Sequence, residues 1–400
     1  MQNQDKAILI IGAGNIGRGV IGSLFYQSGY KLVIYDIMAE RMKKLAEQGK
    51  YLVERVGEEK TQRIIVDNFE VLDCSDTKEL IERITTIDLV ACCVYEGAFE
   101  SICKNISEAI KRRVTVGKSY LNVLLCVNAL GAPEYFNKQI ENNLVQNAEA
   151  LNYFHNNVGI CQVLVGTAGL PSPKELLAAD PFAVTTRLGG YVGIDREHFK
   201  GQFPEVESVS RVEKANAQIY RKVYTGNMKH TMTAFMGKAK EYEFIADCNK
   251  DPYIQKCVTE AFYEAEEAIQ REFNFSSKER QDWINGILNI KNTKLKDPIS
   301  RVAANPMGKL SYHNRFVGPA LMCIKHHIVP FYLARGIAYG FLYRDEEDQE
   351  SIDITNYVQE KGIENAIDKY CGLKEEDWLL KELVKKHYEE AKYRKSLQGE

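Results

Sequence analysis

The sequence predicts an α/β protein: an N-terminal, Rossmann-type doubly wound parallel sheet followed by a mostly helical C-terminal domain. Three observations carry this prediction. Apolar strands alternate with helical patterns through the first half. A glycine-rich turn joins the first strand to the first helix. From about Glu205 onward, strand patterns give way to long segments of helical periodicity. The boundary is set at 1–200 for the sheet domain and 201–400 for the helical one.

The first strand, Ala7-Ile8-Leu9-Ile10-Ile11, is continuously apolar, as a parallel strand buried on both faces requires. Gly12-Ala13-Gly14-Asn15-Ile16-Gly17-Arg18-Gly19 comes next, and then Ile16, Val20, Ile21 and Leu24 share one helical face. A second strand, Lys31 to Tyr35, ends at Asp36, nineteen positions past Gly17. Strand, glycines, helix, strand and acid in that order form a dinucleotide-binding fingerprint. Gly12 permits the tight turn, Gly14 lets the backbone approach a pyrophosphate, and Gly17 lets the helix pack closely on the strand. Ala13, Asn15 and Ile16 complete a turn whose N–H groups face phosphates at a helix N-terminus. Asp36 can accept the adenine-ribose hydroxyls and repel a 2′-phosphate, which favours NAD over NADP.

The chain continues with a helix around Met38 to Gln48 and β-like runs at Tyr51 to Val56 and Arg63 to Leu72. Ile87 to Val94 reads as a buried strand, Phe99 to Ile110 as a helix, and Leu121 to Val127 as another strand. A single helix is expected from about Pro133 to Leu151, then strands near Ile160 to Val165 and Tyr191 to Ile194. Ligands in such sheets lie beyond the C-terminal strand ends, here Gly12 to Gly17, Val94 to Gly97 and Val127 to Leu130. Val94 is therefore a candidate cofactor contact. In the second half, helices are expected over Val212 to Tyr224, Met228 to Ile245, Val258 to Phe273 and Tyr332 to Tyr343. Lys374 to Arg394, dense in alternating charge, reads as a solvated surface helix.

Composition narrows the partners. The 400 residues carry 45% hydrophobic and 27% charged residues with a net charge of −3, which argues for neither nucleic acid nor an anionic membrane. Asp5 precedes the first apolar run, that run feeds the glycine turn, and no apolar stretch approaches the ~20 residues of a membrane span. A soluble, cytoplasmic protein is expected. The 10 cysteines lie singly or as Cys92-Cys93, mostly inside apolar strands, and read as buried small hydrophobes in a reducing compartment. Cys323, His326 and His327 have spacing that a metal could use, but they sit in an apolar helical pattern, so no metal is expected.

The segment Arg221-Lys222-Val223-Tyr224-Thr225-Gly226-Asn227-Met228-Lys229-His230 offers a base and hydrogen-bond donors for dehydrogenase chemistry. Asn227 and His230, three apart, would share one helical face. Composition alone would make these a solvated lysine and a structural histidine.

The glycine-loop wording Gly-Ala-Gly-Asn-Ile-Gly-Arg-Gly, with Ile21-Gly22 shortly after it, resembles the polyol-specific long-chain dehydrogenases, the mannitol dehydrogenase family. Lys222, Asn227 and His230 match that family's K-x4-N-x2-H motif, and Cys126-Val127-Asn128 fits its C-x-N run. Arg301-Val302, Pro306, Lys309-Leu310, Arg315 and Gly318-Pro319 resemble its R-V-x3-P-x2-K-L segment and the residues beyond that segment. Two departures stand out. Val127 replaces an acid before the asparagine, and the family's V-D-R-I-V-P run is replaced by Ile160-Cys161-Gln162-Val163-Leu164-Val165.

The resemblance implies NAD-linked interconversion of a sugar-alcohol phosphate and a ketose phosphate, mannitol 1-phosphate and fructose 6-phosphate. Lys222 would act as general base without a metal. Asn128 and Asn227 would donate to the developing oxyanion, and His230 would orient substrate or lysine. Arg301 and Lys309 would bind the far end of the substrate, where an arginine suits a phosphate. A free polyol or a hexuronate is the alternative substrate, and a non-catalytic NAD-binding protein is the alternative class.

Overall fold

In the computed structural model, the described residues are 6–396 except 58, 75–76, 190 and 289–296. Asp5 lies outside them. The chain divides into two compact units, Met1–Gln218 and Ile219–Glu400.

The first unit contains the strands β1 (Ala7–Ile11), β2 (Lys31–Tyr35), β3 (Tyr51–Val56), β4 (Thr61–Val66), β5 (Phe69–Val71) and β6 (Leu89–Cys92). They are followed by β7 (Leu121–Leu125), β8 (Val158–Val165), β9 (Gly169–Leu170), β10 (Val184–Arg187), β11 (Val192–Asp195) and β12 (Val209–Val212). Eight form one sheet in the order β12-β11-β8-β7-β6-β1-β2-β5, parallel throughout except where β8 meets β11. Strand β1 shows why its sequence is apolar without alternation. Leu9 and Ile11 enter the core on one face, while Ile8 and Ile10 enter the core on the other. The chain runs outward from β1 through β2 to β5, then returns to β6 on the other side of β1. The crevice at this reversal is where open α/β sheets bind ligands.

Four differences from the sequence expectations have physical causes. The runs at 51–72 do not extend the main sheet as a block. Strands β3 and β4 join β9 and β10 in a separate sheet of order β4-β3-β10-β9. Thr61, Arg63 and Ile65 leave one face of β4 exposed, which an antiparallel pair tolerates and a doubly covered parallel sheet does not. The expected helix at 133–151 is two, Ala132–Leu144 and Ala148–Asn157, because Asn147 Oδ1 accepts the Ala150 N–H at 3.0 Å and starts a new helix. Beyond Glu205, where only helices were expected, Val209–Val212 adds β12 at the sheet edge. The C-terminal charged segment, Trp378–Ser396, is not solvated all round, since Leu380, Val384, His387 and Ala391 are buried along one stripe.

The second unit is helical. Phe235, Phe262, Phe316, Phe341 and Tyr343 lie at the centre of its core. The long helix Pro252–Phe273 starts six residues before its apolar period becomes evident at Val258. Asp251 caps it, accepting the Tyr253 and Ile254 N–H groups at 2.9 and 3.0 Å, and Pro252 fits the first turn. Among the described residues, no helix is long and apolar enough to cross a membrane.

Candidate active site

The glycine turn is held by sterics that only glycine meets at two of its positions. Gly12 sits at φ +99°, and a Cβ there would lie 2.3 Å from the Cys93 carbonyl oxygen. A Cβ on Gly17 would lie 1.9 Å from the Gly12 oxygen. Gly14 differs, because a Cβ there would meet nothing within 4 Å. Its protein neighbours do not require a glycine, whereas a ligand approaching that backbone does. The Cys93 N–H donates to Ile11 O at 2.7 Å, so Gly12, Cys93 and Val94 meet at the reversal of the sheet.

Asp36 closes this turn from the end of β2. Its Oδ2 accepts the Ala13 N–H at 2.7 Å and its Oδ1 accepts the Met38 N–H at 3.0 Å. A cleft of about 260 Å³ lies beside it, lined by Ala13, Gly14, Asn15, Asp36, Met38 and Arg41 among others. An open backbone at Gly14, helical N–H groups and a carboxylate fixed at the second strand fit a dinucleotide. Asn15 turns its Nδ2 to Leu170 O at 2.9 Å, so its side chain ties the turn to the second sheet. Ile16 is half-buried.

Sequence reasoning gave Arg18 no role. It is buried over the Tyr51 ring, with Nε donating to Ala13 O and Nη1 to Phe182 O, both at 2.6 Å. Burial lowers its pKa to about 10. Its guanidinium therefore splints the glycine turn against the second sheet. Only its position one residue past Gly17 hinted at this.

Asn128 is exposed three residues beyond β7. The turn that carries it is fixed from β8. Gln162, fully buried, donates Nε2 to both Leu125 O and Val127 O at 3.1 Å. The run that departs from the family wording thus supplies an amide that holds the asparagine turn.

In the second unit, a helical path continues through Arg221 into a wider π-type turn at Lys222–Asn227 and then the helix Met228–Ala239. Such turns displace side chains from the regular helical face and recur at functional sites. Three anchors hold this one. Arg221 is buried in an ion pair with Glu266, beneath the rings of Phe275 and Trp283. Thr225 Oγ1 accepts the Trp283 indole N–H at 3.0 Å, and the Tyr224 hydroxyl donates to His313 O at 3.2 Å. Lys222 comes directly after the first anchor, and burial lowers its pKa to about 8. Asn227, at the end of the turn, is half-buried.

His230 Nε2 lies 3.3 Å from Asp297 Oδ2. Burial alone would raise the Asp297 pKa, but hydrogen bonds from His230 and Arg301 prevail and hold it well below the usual carboxylate range. Arg301 grips Asp297 with two bonds, Nε to Oδ1 at 2.7 Å and Nη2 to Oδ2 at 2.6 Å. Lys309, on the short helix Pro306–Leu310, has its pKa lowered to about 7 by burial and by the nearby charges of Arg315 and Arg301. Arg315 donates Nη1 to Thr231 Oγ1 at 3.0 Å and is itself lowered to about 10 by burial. Lys309 and Arg315, both partly buried and with Arg315 lowering the Lys309 pKa, can receive an anion. The sequence reading gave Asp297 no role and Arg315 only a motif match, because His230 and Thr231, which they meet, lie far away in the chain.

The residues with metal-like spacing go elsewhere. Cys323 Sγ contacts Glu264 O at 3.3 Å, and His326 Nε2 meets Glu272 Oε2 at 2.7 Å.

Comparison with known proteins finds relatives along nearly the whole chain. Residues 6–208 match the family described as "Mannitol dehydrogenase Rossmann domain" and residues 215–391 the "Mannitol dehydrogenase C-terminal domain". The mannitol-1-phosphate 5-dehydrogenase of Bacillus licheniformis is 30% identical over 94% of this chain and 98% of its own length. That of Geobacillus stearothermophilus is 28% identical over 92% and 96%. Among solved structures, the Pseudomonas fluorescens mannitol 2-dehydrogenase ternary complex with NAD and D-mannitol superposes with a TM-score of 0.76. The match covers 99% of this chain and 94% of that one at 14% identity, and so speaks for the fold. A D-sorbitol dehydrogenase in substrate-free form gives 0.71 at 15% identity, covering 97% and 96%. Both units of this chain, matched from residue 6 to residue 391, belong to the mannitol dehydrogenase family.

Proposed function

We propose that this protein is an NAD-dependent polyol-phosphate dehydrogenase that interconverts mannitol 1-phosphate and fructose 6-phosphate. The observation that carries the reading is a lysine whose pKa burial lowers to about 8, on the unit that also bears the Lys309–Arg315 cation pair. A lysine in that range exchanges protons near neutral pH, as a general base must. The first unit carries the cofactor and the second the polar substrate. Relatives named mannitol-1-phosphate 5-dehydrogenase, aligned over more than nine-tenths of the chain, support the choice of substrate.

When bound, NAD supplies the acceptor for the hydride that leaves the carbinol carbon. Lys222 Nζ, as the neutral amine, takes the hydroxyl proton of the polyol and returns it in the reverse direction. Asn128 and Asn227 donate to the oxygen as it gains charge, which stabilises it without a metal. His230, held by Asp297, orients the substrate hydroxyls or the lysine. Lys309 and Arg315 receive the phosphate, with Arg301 adding charge at the edge while it fixes Asp297. A phosphate dianion between these cations favours the protonated form of Lys309. Asp36 accepts the ribose hydroxyls and rejects a 2′-phosphate.

NADH oxidation assayed with fructose 6-phosphate, free fructose and a ketouronate tests the reading directly. Turnover with fructose 6-phosphate at a kcat/KM at least about a hundredfold above the other two is expected, since a two-cation site contributes charged hydrogen bonds of about 1.5–3 kcal/mol each. Equal or better use of the free ketose or the ketouronate would overturn the phosphate assignment.

A further inference from the structure

We propose that Cys93 and Cys126 form a reversible disulfide site at the carboxyl edge of the eight-stranded sheet, and that closing it disables the adjoining nucleotide turn. Strands β6 and β7 pair with Cys92 opposite Leu125, and the Cys126 N–H extends the ladder to Cys92 O at 2.9 Å. The next residues in register are therefore Cys93 and Cys126. Both side chains pack against the same hydrophobic cluster, whereas Cys92 enters the cluster on the opposite face. The Cys126 thiol donates to Leu124 O at 3.6 Å, and the neighbouring Cys93 side chain, together with burial, raises its pKa. Cys93 is half-buried and Cys126 buried, so a small oxidant meets Cys93 first.

Neighbouring strands stand about 4.8 Å apart, while bridged Cβ atoms approach to about 3.5–4.5 Å. Closure must draw the two tails together. Both cysteines lie just past the last strand residues, Cys92 and Leu125, where the backbone can yield. A bond formed under such strain is readily reduced again, which makes the pair reversible.

The oxidant is a hydroperoxide. The Cys93 thiolate attacks the peroxide oxygen, forming S–O and breaking O–O, and an alcohol or water leaves after taking up a proton. The Cys126 sulfur, losing its proton, attacks the Cys93 sulfenic sulfur; S–S forms, S–O breaks and water leaves. Two sulfurs are oxidised by two electrons in total, and the peroxide is reduced by two. A dithiol reverses the bond by two exchange steps.

Closure reaches the ligand turn because the Cys93 carbonyl is packed against Gly12, and a Cβ on Gly12 would lie 2.3 Å from it. Cys126 is also followed directly by Val127 and Asn128. A shift of about 1 Å at such positions is enough to cost about a hundredfold in rate.

The effect on turnover rests on the proposed function, but the bond and its effect on NADH binding do not. The test treats the purified full chain with hydrogen peroxide and maps peptides without reduction. A Cys93–Cys126 cross-linked peptide is expected, with NADH affinity weakened by at least about tenfold, ~1.4 kcal/mol, and restored by dithiothreitol. Cys93→Ser should show no cross-link and the same NADH affinity before and after peroxide. A cross-link elsewhere, equal loss of NADH affinity in Cys93→Ser, or a Cys93–Cys126 bond that leaves NADH affinity unchanged would each overturn the proposal. A chain that forms the bond and loses NADH reversibly, yet turns over none of the ketoses, upholds it and overturns the proposed function instead.

Discussion

His230 and Asp297 meet at 3.3 Å through Nε2 and Oδ2, and Arg301 clasps both oxygens of the same carboxylate. This places an ionised acid behind the histidine that the sequence offers for substrate orientation. Asp297→Asn removes the acceptor that fixes the ring, and kcat should fall by about ten- to a hundredfold, the range for outer partners of a working histidine. NADH affinity should be unchanged. The same residue links stability to acid. Its native pKa lies below the ordinary 3.8, so its contribution is present above 3.8 and is lost as pH falls through the native value. Melting temperatures of the parent and Asp297→Asn should therefore converge below pH 3.8, and parallel curves would refute the link.

The proton role of Lys222 predicts opposite pH dependences in the two directions. Polyol oxidation needs the neutral amine and should rise as pH passes through about 8; ketose reduction needs the ammonium and should fall over the same interval. Lys222→Ala should lose ~10²–10⁴-fold in kcat with NADH binding intact. Lys222→Arg should not recover activity, because a guanidinium stays protonated. More than about a tenth of parental activity in Lys222→Ala would lie outside the general-base range and transfer the role to His230.

If Lys309 receives the phosphate as proposed, its pKa of about 7 should make that recognition pH-dependent. The KM for fructose 6-phosphate should rise as pH increases above about 7, where free Lys309 loses its proton. Calorimetry in buffers of different ionisation enthalpy should show proton uptake on binding. Lys309→Ala and Arg315→Ala should raise this KM by about ten- to a hundredfold, matching one lost charged hydrogen bond, with little effect on a free ketose. Equal penalties on both substrates would place these residues along the polyol chain.

Asp36 has two duties, because the oxygens that would meet a ribose also hold the Ala13 and Met38 N–H groups. Asp36→Ala should narrow the preference for NADH over NADPH while weakening NADH itself, since both the acceptor and the shape of the turn are lost. Equal kcat/KM with the two cofactors in the parent protein would refute the assignment.

How much of this was legible depended on the range over which each feature is encoded. The glycine turn, β1, β2 and Asp36 lie within thirty residues, and their roles follow from local sterics and periodicity. Lys222, Asn227 and His230 are equally local in sequence, but the π-type turn that sets off Lys222 is not. It is held by Glu266, Trp283 and His313, which no spacing rule connects to it. The second sheet was missed because it pairs β3 with β10 across more than a hundred residues. The terminal helix was misread because its buried stripe of Leu380, Val384, His387 and Ala391 includes a histidine and is surrounded by charge. The meeting of Asp297 with His230 and of Arg315 with Thr231 became visible only in the structure, because these partners lie far apart in the chain.

Gln162 shows what the unfamiliar run in β8 supplies. Its amide nitrogen donates to Leu125 O and Val127 O, and its Oε1 is buried without a hydrogen-bond partner among the described residues. Turning the amide over would set oxygen against two carbonyls, so the donor orientation is the stable one. Gln162 thereby acts as a positioning residue for the turn that ends in Asn128. Gln162→Glu places a carboxylate against those carbonyls, and burial must raise its pKa. Once protonated, its hydroxyl can restore one of the two bonds. The ratio of variant to parent kcat should therefore be lowest at high pH and rise as pH falls, with NADH affinity little changed at every pH. Gln162→Leu should lose a similar factor, about tenfold or more, with a ratio that does not vary with pH. A loss confined to melting temperature, or a flat ratio in Gln162→Glu, would reduce Gln162 to a structural tie and leave Asn128 positioned by its own turn.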